Sequence, residues 1–432
     1  MSFHSRRRFL TVSAGAAGAL AVANALDMPA FAQERRIRHA WWGNPERDKR
    51  TFAAIDIFNG KTPDIVVEGE TMGFADYFAK LTAQIAVGDM PDVIQMGYGV
   101  MFEYIKNGAI VPLDDYVGTS LDVSKIDQSA LDAGTVDGKL YAVSIGANSH
   151  VAMYNKRLWD AAGIGVGESF NPFGWTYDDV ARIGKTIKDA TGISGTDDNT
   201  ANFQNFSDFV GQMGAAMYTD GQYSVPQDIV EDYWETWRKI REAGATPPPE
   251  ETAALASTTE LAQLGLVTGK AATSYAWSNQ LVGTQALTAD PIGAAMYPNT
   301  PAMTPGSIIQ PSQFVCLTRD CGDREAATTY MSAFVNDLEM TTVLGLERGI
   351  PSQPEVRAAL APQLTDIEKV SVAFFEGIQG KTMLLPPPPP PGANDVEQAF
   401  KRLAVEVLTG GRSSSEVAAE FLQQAKDILA RA

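Results

Sequence analysis

The sequence predicts an α/β fold in two lobes, organised around a largely parallel sheet. In the first hundred residues, apolar segments alternate between strand-like and helical spacing, which is the pattern of a sheet flanked by helices. Removing an N-terminal leader from the 432 residues leaves 400, more than one core of ~100 to 200 residues accommodates. No repeat of ~20 to 50 residues is visible, which disfavours solenoids and propellers.

The chain opens with a leader. Ser5-Arg6-Arg7-Arg8-Phe9-Leu10 precedes an uncharged, Ala- and Gly-rich stretch from Thr11 to Leu26, and Ala30-Phe31-Ala32 supplies a small-x-small cleavage site. A twin arginine in this setting is a bacterial export address, so residues 1–32 are read as a twin-arginine signal peptide and the mature protein as periplasmic. Asn24, Asp27 and Pro29 interrupt the apolar run below the ~20 residues of a membrane span.

After the leader, Ile37 to Trp41 reads as a strand, with Trp41 turned inward by alternation. Trp42 to Pro45 forms a loop, and Glu46 to Phe58 a helix. Phe74, Tyr77, Phe78, Leu81 and Ile85 recur at helical spacing. Gly88 stops that helix before a short strand, Asp92 to Met96. Thr176 and Asp179 form a capping box ahead of Val180, Ile183 and Ile187. Gly192 to Asn205 reads as a solvated polar loop, and Thr246 to Pro249 as a proline break. The unbroken prolines from Pro386 to Pro391 read as a stiff strut at a surface or cleft edge, ~19 Å long and unable to join a ladder. Val396, Phe400, Leu403 and Val407 mark one amphipathic helix. A second, through Val417, Phe421, Ala425 and Ile428, is capped by Ser413 and Glu416.

The formal charge is −18, and because the leader carries +2 the remainder is about −20. So acidic a surface disfavours nucleic acid and anionic lipid as partners. Cys316 and Cys321 either close a small disulfide loop or stand as a buried apolar residue and a loop thiol. Only His39 and His150 remain after cleavage, with neither HExxH nor CxxC, so no metal or other cofactor is expected.

No GxSxG elbow, P-loop or GxGxxG after a strand is present. Asp114-Asp115 and Asp178-Asp179 are explained by a turn and by a helix N-terminus, rather than as the paired carboxylates of a glycosidase. Asp197-Asp198-Asn199 lacks the glycine and closing glutamate of a calcium loop. Aromatic residues at strand ends are more informative, because ligands of α/β lobes gather there. Trp277-Ser278-Asn279-Gln280 combines a flat ring suited to the C–H face of a sugar with three hydrogen-bonding side chains.

An ordered series of motifs then resembles one family along almost the whole chain. Gly88-Asp-Met-Pro-Asp-Val93, Asn107-Gly-Ala-Ile-Val-Pro-Leu-Asp-Asp115, Asp137-Gly-Lys-Leu-Tyr-Ala142, Met153-Tyr-Asn-Lys156 and Gly349-Ile-Pro-Ser352 are similar to blocks of the extracellular solute-binding proteins of ABC importers, in the sugar-binding group that includes maltose-binding protein. Gly174-Trp-Thr-Tyr-Asp-Asp179 stands where that group has Pro-x-Thr-Trp-x-Glu, with Trp and Thr exchanged. The resemblance implies a type II-like periplasmic-binding-protein fold. One lobe would comprise 34–145 plus 312–348 and the other 149–308 plus 352–432, hinged near Ile145 to Ser149, Ile309 to Ser312 and Gly349 to Pro351. It implies a monomeric binding protein rather than an enzyme, which captures a carbohydrate or related small solute and delivers it to the transmembrane subunits of an ABC permease. Trp42, Asn44, Glu70, Tyr98, Asn148, Trp277, Asn279 and Arg348 are the expected ligand-binding residues. Trp277 and Tyr98 would stack, Glu70 and the amides would take hydroxyls, and Arg348 would pair with an anionic group or serve as a hinge ion pair. The alternatives are a binding protein for a non-sugar solute and a secreted carbohydrate-active enzyme.

The leader yields the first prediction. Protein recovered from the cell envelope should begin at Gln33 by intact-mass spectrometry, and replacing Arg6 and Arg7 with Lys should block export. An uncleaved N-terminus would mean that the segment anchors rather than addresses.

Overall fold

The computed structural model describes residues 35–43, 45–167, 169–255, 261–300 and 307–431. The leader and Asn44 lie outside the described residues. The first elements alternate as expected: β1 (Arg35–Trp42), α1 (Pro45–Lys61), β2 (Ile65–Met72), α2 (Phe74–Val87), β3 (Val93–Met96) and α3 (Tyr98–Lys106). Gly88 ends α2 in the left-handed conformation, with its N–H directed to the carbonyls of Gln84 and Ile85, a cap that costs glycine least. β1 lies between β2 and β3 and is parallel to both, as helical crossovers require.

The parallel arrangement ends there. β4 (Ala142–Asn155), β5 (Thr273–Trp277), β6 (Ile292–Ala295) and β7 (Ile309–Leu317) complete a seven-stranded sheet in the order β6-β4-β7-β3-β1-β2, with β5 also on β4. Every pairing of these four is antiparallel. The sheet is therefore mixed, because β7 returns beside β3 and lies against β4 without a helical crossover. The first half of β4 pairs with β7, and its second half pairs with β5 on one side and β6 on the other.

The buried apolar residues fall into clusters. Two enclose β1 to β3 and the last part of β7, Phe314 to Leu317, with their helices. Trp41 is fully buried there, and its indole N–H donates to Asp48 at 2.9 Å. The largest cluster gathers α4 (Tyr177–Thr191), α5 (Phe203–Gln212), α6 (Gln227–Glu242), α7 (Ala393–Leu408) and α8 (Ser414–Leu429). α6 alone buries Tyr233, Trp234 and Trp237 completely, at roughly 1.5 to 3 kcal/mol for each large side chain. The capping boxes at Thr176/Asp179 and Ser413/Glu416 both form. Cys316 and Cys321 are free, buried thiols, and burial raises both pKa values.

Three passes of the chain meet between these clusters. Ala147 and Ile350 exchange backbone hydrogen bonds at 2.7 and 3.0 Å. The Ser312 hydroxyl reaches the carbonyl of Gly146 at 3.0 Å and also that of Arg348. β7 is irregular here, with register shifts between Pro311 and Phe314, since Pro311 has no N–H for the ladder. Gly349 adopts φ +103°, and a Cβ placed on it would sit 2.9 Å from the Ala147 carbonyl oxygen. Both constraints require glycine. Gly349→Ala should therefore cost ~1 to 3 kcal/mol in urea unfolding. Gly60→Ala, in α1 with nothing within 4 Å of the new methyl, should be neutral or stabilising. Equal midpoints for wild type and Gly349→Ala would refute the constraint.

Candidate functional site

β5 delivers Trp277 to its C-terminal end by pairing with the second half of β4, where Trp277 faces His150. The turn that follows is fixed from both sides. Gln280 Oε1 accepts the Trp277 N–H at 3.0 Å, and Ser278 Oγ accepts the Ser149 N–H at 3.0 Å. The indole lies against the His150 imidazole, with ring centroids 4.1 Å apart. On its other flank that imidazole stacks on Tyr297 at 5.2 Å. Asp208 of α5 holds His150 Nδ1 at 2.7 Å, and both side chains are buried. Burial raises the Asp208 pKa, while the charge of His150 and its hydrogen bond act to lower it. The Asp208 carboxylate thus holds the His150 imidazole, which in turn meets the Trp277 indole at a tilt of 59°.

Trp277 forms part of the wall of a cavity of about 250 Å³. The rest of the wall comes from 197–204, α6-adjacent Pro247 to Thr252, Leu261 to Gly265, Lys270, Tyr275, Tyr297 and Lys401 of α7. The segment read as a solvated loop is instead largely buried. Asp198 and Asn199 are 8% and 5% exposed and Thr200 is inaccessible. Asp198 accepts a 2.5 Å hydrogen bond from Arg241 at the end of α6 and also caps Thr200. Tyr233 donates to the Asn199 carbonyl and Trp234 to that of Thr200. These partners lie more than 30 residues away, so polarity alone misplaced the loop.

Asp197 is the distinctive group of this wall. Its Oδ2 accepts from Ser274 Oγ at 2.5 Å and from the Gly265 N–H at 3.3 Å. Among the described residues, no donor reaches Oδ1 and no cation pairs with the carboxylate. Burial, opposed by the two hydrogen bonds and assisted by neighbouring Asp198, pushes its pKa up to about 6.

The residues expected from the sequence have different placements. Trp277 and Gln280 line the cavity. Asn279 is exposed on the adjacent turn. Asn148 is buried beside the Ser149–Ser278 bond, with no hydrogen-bond partner for its Oδ1. Trp42 packs against Phe74, Tyr77 and Phe78. Tyr98 donates to the Pro386 carbonyl at 3.1 Å. Leu385 packs on the core around β3, while the Met383 N–H donates to Ser307 at 2.9 Å, so the segment entering the proline run ties the two sides of the molecule together. Glu70 gives one oxygen to Arg38 and the other to Lys80, at 2.9 and 2.8 Å. Arg348 is 5% exposed and donates to Gln95 and Thr51 at 3.0 and 2.8 Å. It fixes the third chain pass to β3 and α1 and does not line the cavity. Among the described residues, no group of three or more His, Cys, Asp or Glu side chains is arranged to hold a metal, and no helix is long and apolar enough to cross a membrane.

Comparisons with known proteins agree with this architecture. A profile described as bacterial extracellular solute-binding protein matches residues 53–370. A binding protein of Brucella abortus is 28% identical over 107 residues, 25% of this chain and 26% of that protein, so the match spans about a quarter of the curated relative's length. An extracellular solute-binding protein of family 1 from Alicyclobacillus acidocaldarius superposes with a TM-score of 0.83 at 26% identity, over 91% of this chain and 98% of the other. A periplasmic oligogalacturonide binding protein from Yersinia enterocolitica shares the fold, with a TM-score of 0.75 and 20% identity over 92% and 99%.

Asp197 generates a pH-dependent prediction. Its pKa is raised on folding from 3.8 to about 6, so the folded state pays for the ionised form. That penalty is complete above pH ~6, shrinks as pH falls, and is absent below the unfolded value near 4. Asp197→Asn should therefore raise the melting temperature at pH 8 and leave it unchanged at pH 4. A gain of equal size at both pH values would contradict the assignment.

Proposed function

This chain belongs to the bacterial extracellular solute-binding proteins, and from that premise we propose that it is the periplasmic substrate-binding component of an ABC importer for a sugar or sugar derivative. The observation that carries the carbohydrate reading is Trp277 on the cavity wall, set against His150. An indole in contact with His150, and lining a cavity that also holds Asp197, Asn199 and Gln280, offers a sugar a flat apolar face beside hydrogen-bonding groups. The cavity volume of about 250 Å³ is close to the lower end of small-molecule sites, roughly 300 Å³. The structural neighbour from Yersinia, which by its description binds oligogalacturonide, is consistent with the same solute class.

In this reading 34–145 plus 312–348 form one lobe and 149–308 plus 352–432 the other. The three passes at Gly146, Ser312 and Gly349 act as the hinge. Ligand first meets one lobe, and closure adds contacts from the other, shifting the population only as far as the difference in affinity between open and closed forms permits. The permease then reads the closed shape.

Trp277→Ala tests the reading. It should weaken binding of a saccharide found by thermal-shift screening by ~2 kcal/mol or more, as loss of an interface anchor does, while the melting temperature without ligand changes little. A packing tryptophan would instead cost ~3 to 5 kcal/mol of stability, and that outcome would remove Trp277 from the site.

A further inference from the structure

The charges around the cavity are almost all compensated. Asp198 is held by Arg241, Glu251 pairs with Lys270 at 2.6 Å, and Lys401 pairs with Glu397 at 2.6 Å on its own helix. Asp197 alone, among the described charged residues of the wall, has no cationic partner. Two neutral donors fix Oδ2, and Oδ1, close beside Gly265 on the cavity wall, has no donor among the described residues.

From this arrangement we propose that the cavity selects its sugar by charge: Asp197 takes an ammonium or hydroxyl donor of the ligand, so an amine-bearing sugar binds best, a neutral one less well, and a uronate worst. This rests on the carbohydrate reading of the same site. The physical ground is desolvation. A partly buried carboxylate without a counter-ion gains most from a ligand cation, gains a charge-assisted hydrogen bond from a hydroxyl, and repels a second carboxylate. Lys270 and Lys401 do not reverse this order, because each already faces its own glutamate. The Ser274 and Gly265 donors keep the Asp197 carboxylate in one orientation, so the selection is directional as well as electrostatic.

The test uses purified mature protein and calorimetric titration at about pH 7. Matched mono- and disaccharides built from glucosamine, glucose and glucuronic acid serve as probes. The glucosamine member of the binding set should exceed its glucose counterpart by about tenfold or more, 1.4 kcal/mol by the standard conversion, with the glucuronate weakest. Asp197→Asn should bring amine, neutral and acidic members within about threefold of one another. Its melting profile reports whether the variant is folded. Glucuronate binding as tight as glucose in wild type, or an amine preference that persists in Asp197→Asn, would overturn the proposal and leave the sugar-binding reading standing. Failure of all three sets and of a wider saccharide panel would overturn both.

Discussion

The structure depends on the place where three chain passes touch. The segments of Gly146 and Ser312 are 166 residues apart, and Ser312 and Arg348 are 36 apart, yet one serine hydroxyl lies within reach of the Gly146 and Arg348 carbonyls. Ser312 has one O–H proton and two acceptors close by, so it satisfies them in alternation rather than together. Gly349 lets the third pass approach closely enough for Ala147 and Ile350 to exchange backbone bonds. Every apolar cluster is built on an element that enters or leaves this junction. A side chain at Gly146 or Gly349 would press on the backbone of the neighbouring pass, 3.0 Å from the Arg348 oxygen or 2.9 Å from the Ala147 oxygen. Arg348 reinforces the arrangement: its guanidinium is buried against β3 and α1, with desolvation lowering its pKa to about 10, and so ties the third pass to the β1–β3 side.

The site follows from the same geometry one step further along β4. Past Ser149 the strand exchanges β7 for β5, and this exchange brings Trp277 over His150. The contacts behind the indole end on Asp208, a buried carboxylate of α5. Trp277 is thus coupled through the His150 ring and its hydrogen bond with Asp208 to the packing of α5 against α6 and α7. A platform held in this way loses little conformational entropy when a ligand lies on it, which is the contribution preorganisation makes to affinity.

Much of the fold was legible in the sequence. The strand at Ile37 to Trp41, the inward turn of Trp41, the glycine stop at Gly88 and both capping boxes each rest on a local signal: alternation, a left-handed cap, or a hydroxyl three residues before a carboxylate. What local signals could not show was partnership at a distance. β2 was not distinguished from its surroundings, because its burial fades after Val67 on the sheet edge. The antiparallel return of β7 needed knowledge of which strands lie side by side. Trp277 carried a readable signal in the polar residues that follow it. Asp197 and Asp198 did not, since their burial is imposed by Arg241, Tyr233, Trp234 and Ser274, all brought in by tertiary structure. Glu70 and Arg348 carry chemistry that suits a ligand, and in the fold Glu70 is engaged by Arg38 and Lys80 and Arg348 by Gln95 and Thr51.

The retention of Asp197 as a carboxylate is where stability and function separate. An asparagine there would accept the same Ser274 hydroxyl and avoid the desolvation that lifts the acid's pKa to about 6. The fold gains nothing from the charge, since no described cation answers it. Asp198, one residue later, is buried more deeply and is paired with Arg241, so the architecture is able to supply a counter-ion at this depth and does so next door. An uncompensated carboxylate beside a compensated one, on the wall of a cavity that also contains an aromatic platform, is costly unless something absent from the chain completes it. Local violations of the rule that buried charges are paired concentrate at functional sites. Here the violation has a direction, Oδ1 left without a donor, and that direction defines the ligand chemistry that would relieve it.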